Sequence, residues 1–489
     1  MKLGGRLPMQ DDVCFIYLLH GHPATVADWC DVGGVTIDIL PDVALLEIFD
    51  CYVNQPREED DYNQHWVQRR AWHILVHVCR KWRTIVLGSP RRLDLRLFCK
   101  DTTPVKDTLA VWPPLPIVIR QHNIPRVRAG LDNIIAALEH NDRVCDMRLW
   151  DVTNSELGEL LAVTQQPFPV LTRLDMWPRR ETLPVVPESF LGGSAPRLQR
   201  LNLYHFPFPG LPKLLLSATD LIDLRLWSIP HSGYFSPEEM VRCLSTLTRL
   251  EKVLLEFESP LSRPVRRPHP PTRSILLALT TFWFRGVSEY LEDLVARIDA
   301  PLLDLFDIKF FHQLIFDTPQ LAQFIARTPN TQPPVEAHIV FSYWNVVVTS
   351  FPRSFSLGIS CRQPDWQLSS LAQVSASSLP EAFVSTVEHL YVCENKSPRL
   401  CWQDDIEDNQ WLEVLHPFTA VKYLYLSREF TSRMVPALQE LTGDVLPSLQ
   451  SIFLEDLHPT GPIQGAIGKF VAARQLTGHP IAISRWDGI

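Results

Sequence analysis

One arrangement of apolar residues recurs along the chain from about residue 140. Its core is an apolar residue, two variable residues, an apolar residue, one variable residue and another apolar residue. The cores are VCDMRL at 144, LTRLDM at 171, LQRLNL at 198, LIDLRL at 221, LEKVLL at 250, VEHLYV at 387, VKYLYL at 421 and LQSIFL at 449. Within each of the two groups, successive cores start 23 to 34 residues apart. The pattern therefore predicts an array of structural repeats.

Short helices are predicted between the repeat cores. In SPEEMVRCLSTL, Ser236 and Glu239 have the spacing of a capping box, with Pro237 at the first helical position. Similar starts occur at Thr153 and Thr318. One strand with one helix cannot bury its own apolar side, so neighbouring repeats must stack around a shared core. The predicted fold class is α/β, with a solenoid of leucine-rich-repeat type and a parallel sheet over residues 141–489.

The repeat pattern weakens between residues 258 and 386. The Pro- and Arg-rich stretch SPLSRPVRRPHPPTR predicts an exposed loop near residues 258–274. Degenerate repeats are predicted in residues 291–360, around LLDLFDI and VEAHIV. The number of repeats in this region stays open at this point.

Strand alternation predicts which residues point away from the helices. Positions one, four and six of each core face inward, and positions three, five and seven face the open side. Position seven is Trp150, Trp177, Tyr204 and Trp227 in four consecutive repeats, position five is Arg148, Asp175, Asn202 and Arg225, and the later repeats place His389, Tyr391, Tyr423, Tyr425 and Phe453 on the same side. Because neighbouring strands lie ~4.8 Å apart, the four position-seven rings are predicted to form a ladder.

This predicted row has two interpretations. Aromatic and Arg side chains are what protein-binding hot spots use, so the row predicts a surface that captures a protein partner. Alternatively, the rings cover strand ends and pack under loops. Arg148, Arg173, Arg200 and Arg225 on neighbouring strands also raise the hypothesis of a phosphorylated partner.

Two apolar helical segments precede the array. In ILPDVALLEIFDCY, Pro41 can occupy a first helical turn. After the acidic stretch NQPREEDDYNQ, residues from Ile74 to Val86 are apolar at three- and four-residue steps, which predicts a second helix ending at Ser89-Pro90. We therefore predict a helical domain at residues 35–90. Residues 1–34 show no clear pattern, and residues 91–140 are predicted to connect the domain to the array and to supply its first cap.

These two segments resemble an F-box. The matching features are the Leu-Pro pair Leu40-Pro41, the apolar helix ending in Ile48-Phe49, and the run from Val78 to Arg83. The acidic stretch is longer than the usual short turn, which leaves the middle helix open. As a whole the chain looks like the F-box-like, leucine-rich-repeat proteins abundant in mushroom-forming fungi.

The resemblance implies a three-helix F-box that binds a Skp-type adaptor and, through it, a cullin-RING ubiquitin ligase. The repeat array would then bind an unidentified protein substrate. The adaptor-binding residues implied by the resemblance are Leu40, Pro41, Leu45, Ile48, Phe49, Val78, Cys79 and Trp82. Since a domain of this size needs most of them for its own core, about half of the set is expected to face the adaptor.

Composition narrows the classes of function. The net charge of −9 gives no reason to expect a nucleic-acid partner, because the phosphates of nucleic acids require a clustered basic surface. We find no run of ~18 consecutive apolar residues that predicts a membrane span, and Asp11 and Asp12 precede the short apolar run VCFIYLL, unlike a secretory signal. The ten cysteines lack CxxC pairs, which argues against a zinc site or a disulfide framework. The expected location is the cytoplasm, the nucleus or both.

Enzyme motifs are weak in this sequence. GPIQGAIGKF resembles a P-loop, but Phe470 stands where the motif requires a hydroxyl, and GAIGKFVAARQL predicts a helix. The acidic cluster at Asp404, Asp405, Glu407 and Asp408 lacks the Gly of a calcium loop. We predict no cofactor, no metal and no catalytic residue. The favoured function is a non-catalytic ligase receptor; the alternatives are a leucine-rich scaffold without ligase association and, third, a hydrolase of a new kind.

Overall fold

The structure is a computed structural model of the chain. It describes residues 40–54, 71–99, 104–121, 128–179, 184–259, 272–313, 315–328, 334–351, 355–361, 364–377, 379, 381–395, 408–431, 434, 445–455, 462–476 and 478–487. The segment 1–34, most of the acidic stretch after Asn54, most of the Pro- and Arg-rich loop, and the acidic cluster before Asp408 lie outside the described residues.

The chain divides into two compact units, residues 1–95 and 96–489. The described residues of the first unit form three helices: α1 (Asp42–Val53), α2 (Ala71–Val78) and α3 (Arg80–Gly88). Leu45 and Phe49 are buried on one face of α1, and the Phe49 ring lies 4.7 Å from the Trp82 ring of α3. These side chains form a small apolar core among the three helices.

The second predicted helix of this unit is broken into two. Cys79 is extended, with φ −155° and ψ 172°, and it serves as the N-cap of α3. Its Sγ accepts a hydrogen bond from the Trp82 backbone N–H at 3.5 Å. The apolar steps continue across the break, so the sequence pattern alone predicted one continuous helix. The predicted end at Ser89 is confirmed.

The second unit alternates strands and helices. Its strands are β1 (Leu97–Cys99), β2 (Ile117–Gln121), β3 (Val144–Val152), β4 (Arg173–Pro178), β5 (Arg200–Tyr204), β6 (Asp223–Ile229), β7 (Lys252–Phe257), β8 (Ser274–Ile275), β9 (Thr281–Gly286), β10 (Ile298–Asp299), β11 (Leu305–Phe311), β12 (Glu336–Phe341), β13 (Asn345–Phe351), β14 (Phe355–Ser360), β15 (His389–Glu394), β16 (Tyr423–Leu426), β17 (Ser451–Leu454) and β18 (Ala482–Arg485). Its helices are α4 (Val105–Val111), α5 (Arg128–Leu138), α6 (Asn154–Val163), α7 (Leu211–Ser217), α8 (Pro237–Thr246), α9 (Ser288–Val295), α10 (Pro319–Arg327), α11 (Pro364–Ser377), α12 (Glu381–Val384), α13 (Asp408–Leu415) and α14 (Pro462–Leu476).

Sixteen of these strands form one sheet, in the order β1-β2-β3-β4-β5-β6-β7-β9-β11-β14-β13-β12-β15-β16-β17-β18. Neighbouring strands are parallel except for the pairs that involve β13. One row of inward side chains runs in register through Leu174, Leu201, Leu224, Val253, Phe282 and Phe306. All are buried. The predicted α/β array with a mostly parallel sheet is confirmed, and the sheet begins earlier than the first predicted repeat, at β1.

The weak region of the repeat pattern holds an inserted hairpin. β11 pairs with β14 rather than with β12, and β13 runs antiparallel between β14 and β12. β15 then continues the parallel series from β12. The expectation of a wholly parallel sheet was therefore wrong at β13. A local pattern of alternating apolar residues shows that a segment is a strand, but it does not show which strand is its neighbour.

The predicted helix starts are largely confirmed. Capping boxes are present at Thr153 with Glu156 and at Ser236 with Glu239, and α14 covers the predicted C-terminal helix. At α10, Thr318 makes no side-chain cap. Instead Glu292 of α9 accepts hydrogen bonds from the Gln320 and Leu321 backbone N–H groups. The start of this helix is thus stabilised by the preceding repeat.

Within the described part of the chain, no helix has the length and apolar character needed to cross a membrane.

Candidate functional site

The candidate site is the open face of the sheet, which we define as the side carrying positions three, five and seven of the repeats. In β6, Leu224 and Leu226 are buried, whereas Asp223, Arg225 and Trp227 on the other face are half-buried. The same alternation holds in β9 and β12. The predicted alternation of inward and outward positions is confirmed in these three strands. Asp175 is a correction: it was predicted for the substrate-binding surface, but it is almost fully buried because arginines of the sheet surround its carboxylate.

A row of aromatic side chains crosses the first part of the open face at position seven. Strand register aligns Trp150 with Trp177, and Tyr204 with Trp227. The Trp177 and Tyr204 rings are stacked, with centroids 4.8 Å apart and planes 8° from parallel. The ring centroids of Trp177 and Trp227 are 6.2 Å apart, and their ring planes are tilted by 46° to each other. The row thus contains one stacked pair, Trp177 and Tyr204, with the Trp227 ring tilted beside it.

Backbone irregularities directly follow position seven in three of these strands. Asp151, His205 and Ser228 each follow a ring of the row and have positive φ values of 59°, 58° and 48°. Register shifts occur between Trp150 and Val152 and between Leu226 and Ile229. Bulges of this kind re-aim the side chains beside them. Three of the four rings therefore stand at the end of the regular part of their strands.

Charged side chains next to this row pair mostly within a strand, and one pair joins neighbouring strands. Arg148 donates to both carboxylate oxygens of Asp146 at 3.0 and 2.9 Å and lies 3.8 Å from Asp175. Arg173 is 2.8 Å from Asp175, and Arg225 is 2.9 Å from Asp223. The carboxylates of Asp146 and Asp175 are almost fully buried. Three of the arginines considered for phosphate recognition are thus already bound to carboxylates of their own sheet.

The most regular ring stack lies in the later repeats, at position five. It runs from His338 through Tyr391 and Tyr425 to Phe453, with centroid separations of 4.4, 4.1 and 4.6 Å. The three ring pairs are within 23° of parallel. A shorter pair, His389 and Tyr423, is stacked beside it at 4.6 Å. We call the four-ring series the position-five stack.

Trp486 covers one side of the position-five stack. Its ring lies 5.8 Å from Tyr391 and 5.5 Å from Tyr425, and its Nε1 donates to the Leu426 carbonyl at 3.0 Å. Position seven in β15 and β16 is Cys393 and Ser427, and these small side chains leave room for an indole. Burial raises the pKa of Tyr391. The repeat pattern gave no signal for Trp486, because this residue follows the last strand.

A charged group that the sequence analysis missed lies at the centre of the open face. Arg285 Nη1 donates to Glu256 at 2.8 Å, and the Trp283 ring lies 5.6 Å from Trp227. Register places Asp307 beside Trp283 and Lys309 beside Arg285. The strand that carries Trp283 and Arg285 has the core LTTFWF at 279, and this repeat follows the Pro- and Arg-rich loop.

In the part of the chain that the structure describes, no group of three His, Cys, Asp or Glu side chains has an arrangement that could hold a metal ion. Most of the charged side chains described above are instead paired with one another, within a strand or between neighbouring strands. What the face offers chemically is flat rings and charge pairs, which are the means of binding another polypeptide.

The predicted adaptor-binding residues of the first unit differ in how exposed their side chains are. Leu45, Phe49 and Trp82 are buried, and Leu40 and Cys79 are half-buried. Pro41 is exposed, as are Ile48 and Val78. The sequence analysis did not single out two further exposed aliphatic side chains, Val43 on α1 and Ile74 on α2.

Comparison with known proteins leaves the family open. No protein-family model matches the chain, and no curated protein matches it. Among solved structures, the chain is similar to the leucine-rich repeat-containing protein LegL7 from Legionella pneumophila, with 16% sequence identity and a TM-score of 0.26 over 73% of this chain and 96% of that chain. The fold described above is therefore based on the strand pairing of this chain and not on this similarity.

Proposed function

We propose that the protein is the substrate-receptor subunit of a Skp-cullin-F-box ubiquitin ligase. In this proposal the three-helix unit binds a Skp-type adaptor, and the open face of the array binds a protein substrate. The proposal includes a location in the cytoplasm or nucleus and a non-catalytic role. The chain would hold a substrate lysine near the ubiquitin-loading machinery, which raises the effective concentration of the reacting groups.

The observation that carries the adaptor proposal is the exposure of large aliphatic side chains on the helical unit. Val43, Ile48, Ile74 and Val78 are 64%, 47%, 51% and 50% exposed. Ile74 and Val78 are four residues apart and thus share one side of α2. Isolated exposed apolar residues are common, but several on one small helical unit are typical of a surface that a partner covers.

The substrate part of the proposal is supported by the rings of the open face. The position-five stack and the Trp177–Tyr204 pair present rigid aromatic edges whose positions are fixed by strand register. Rigid aromatic anchors lose little conformational entropy on binding and supply much of the energy in protein interfaces. The array thus has the means to hold a polypeptide without a catalytic group.

Adaptor binding is tested by co-purification. A variant with Ile48→Ser and Val78→Ser should lose the Skp-type adaptor, since both changes remove exposed apolar area without touching the core of Leu45, Phe49 and Trp82. Val111→Ser is the matched control, because Val111 is 74% exposed on α4 of the other unit. It should keep the adaptor. Equal melting temperatures of the three proteins exclude unfolding as the cause.

The co-purification also separates the two main hypotheses. Retention of the adaptor by the double variant would contradict the assigned surface. If the wild-type chain retains no adaptor at all, the scaffold without ligase association is the better account, since the open face can bind a partner independently of the helical unit.

A further inference from the structure

Four charged side chains meet at the centre of the open face, on β7, β9 and β11. Glu256 is at position seven of β7, Arg285 at position seven of β9, and Asp307 and Lys309 at positions five and seven of β11. All four are at least half-buried. Charges in such surroundings interact strongly and need partners.

The two carboxylates of this group already have hydrogen-bond partners. Glu256 accepts from Arg285 Nη1 at 2.8 Å. Asp307 accepts from the Ser356 hydroxyl and from the Trp283 indole N–H, and burial raises the pKa of Asp307. Neither carboxylate lies within ion-pair distance of Lys309.

The two cations have donors to spare. Arg285 uses Nη1 for Glu256, while its Nε is buried without a hydrogen-bond partner. Among the described residues, the Lys309 ammonium has neither a hydrogen bond nor an ion pair. Burial lowers the pKa of Lys309 and the neighbouring Arg285 lowers it further, while the charges of Glu256 and Asp307 act in the opposite direction. Two adjacent half-buried cations destabilise each other, and an anion placed between them relieves that cost.

The strand on the other side of Lys309 carries a serine hydroxyl. In register with Lys309 on β14 is Gly358, so the position-seven row has no side chain there. A Cβ at Gly358 would lie 3.3 Å from Val347 Cγ2, so the neighbouring strand already fills the space directly beside Gly358. Two residues further along β14, Ser360 Oγ is buried without a hydrogen-bond partner. Lysine, arginine and serine side chains on neighbouring strands are the donors that an oxyanion requires.

We propose that Lys309 and Arg285 bind an oxyanion, a carboxylate or a phosphate, carried by the polypeptide that the open face captures. The inference rests on the proposed function, because it assigns a chemical class to the partner of the same surface. It predicts a partner segment with one acidic or phosphorylated residue. Trp227 and Trp283 beside the site would contact the residues that flank this group.

The test is competitive acylation of the full-length protein with site-by-site mass spectrometry. Inorganic phosphate and acetate are the probes, and chloride at equal ionic strength is the reference. Phosphate at about ten times its dissociation constant should slow acylation of Lys309 about tenfold. Lys252 is the internal control, because it lies on the same face at position three of β7 and is exposed. Its acylation rate should not change.

The outcomes assign the source of the anion. Slowing at Lys309 by acetate as well as phosphate supports acidic side chains as the group bound, and slowing by phosphate alone supports a phosphorylated residue. Equal slowing at Lys309 and Lys252, or none at Lys309, overturns the proposal. Arg285→Gln should remove most of the protection at Lys309, and unchanged protection would rule out the two-cation site. No adaptor is present in this experiment, so its result is independent of adaptor co-purification. The anion site can therefore be refuted while the adaptor proposal stands, and the adaptor proposal can be refuted while the anion site stands.

Discussion

The first and the last parts of the open face use aromatic side chains differently. In β3 to β6 the rings occupy position seven, and position five carries Arg148, Asp175, Asn202 and Arg225. In β12 and β15 to β17 the rings occupy position five, and position seven is small in β15 and β16. Only the second arrangement gives an even stack. Register alone therefore does not produce a ring ladder. In the first part, three of the four rings are followed by a residue with positive φ.

The two parts also differ in what lies buried on the open face. In the first part, carboxylates bind arginines from their own and neighbouring strands. In the last part, the rings pack on one another and beneath Trp486. We therefore expect the stability of the first part to depend on charge pairing and that of the last part on ring packing. Substitutions at Asp175 and Tyr425 test this expectation, and a third at Asp307 tests the charged group between the two parts.

The largest expected effect is at Asp175. Asp175→Ala removes the almost fully buried carboxylate next to Arg173, whereas Arg148 keeps Asp146. Breaking a fully buried pair costs roughly 3–5 kcal/mol, and since Arg173 is partly exposed we expect a cost of about 2–3 kcal/mol. Asp223→Ala is the matched change, because its partner Arg225 is 43% exposed at the side chain, and we expect a cost of about 1 kcal/mol or less. Chemical denaturation gives both values. Equal costs would contradict the claim that the first part depends on its buried carboxylates.

A smaller effect is expected at Tyr425. Its ring is stacked on Tyr391 and on Phe453, and each such contact contributes about 0.5–1.5 kcal/mol beyond burial. Tyr425→Leu should therefore lower the free energy of unfolding by about 1–3 kcal/mol. Tyr204→Leu changes the same residue type in the first part, where the ring is stacked on Trp177, and should cost less. The reverse order would show that even stacking is not what stabilises the last part.

The smallest effect is expected at Asp307, between the two parts. Its folded-state pKa is raised mainly by burial, so the folded protein binds a proton more tightly than the unfolded chain. Stability contributed by this group is then present at low pH and is lost as pH rises through the folded pKa. Asp307→Asn keeps an acceptor for Ser356 and Trp283, and should raise the melting temperature at neutral pH but not in acid. Melting curves across this range check it, and a gain that is equal at all pH values would contradict it.

Strands and helix starts could be predicted where a local sequence pattern is enough to determine them. The Leu and Val spacing fixes the strands and their inward faces, and Ser236 with Glu239 fixes a helix start. Cys79 and the inserted hairpin could not be predicted in this way. The apolar steps continue through Cys79 whether or not the helix breaks, and the choice of β14 over β12 as the neighbour of β11 depends on long-range packing.

The candidate site was partly predictable for a similar reason. Strand parity identifies Trp177, Tyr391 and Tyr425 as outward residues. Parity does not report how tilted the rings are, nor that Trp486 folds back over two of them. The group around Lys309 was missed because a sequence does not show which charges are paired. Lys309 has no ion pair among the described residues, because Glu256 is hydrogen-bonded to Arg285, and Asp307 to Ser356 and Trp283.

The reversed order of β12 to β14 has a consequence for synthesis on the ribosome. β11 ends at Phe311 and its sheet neighbour begins at Phe355, so 355 − 311 − 1 = 43 residues must be made before that neighbour begins. At translation rates of about 5–20 residues per second, the growing edge at β11 stays unpaired for about 2–9 s. β12 emerges during this interval and must not take the vacant place, so the nascent protein passes through a stage in which mispairing competes with correct assembly.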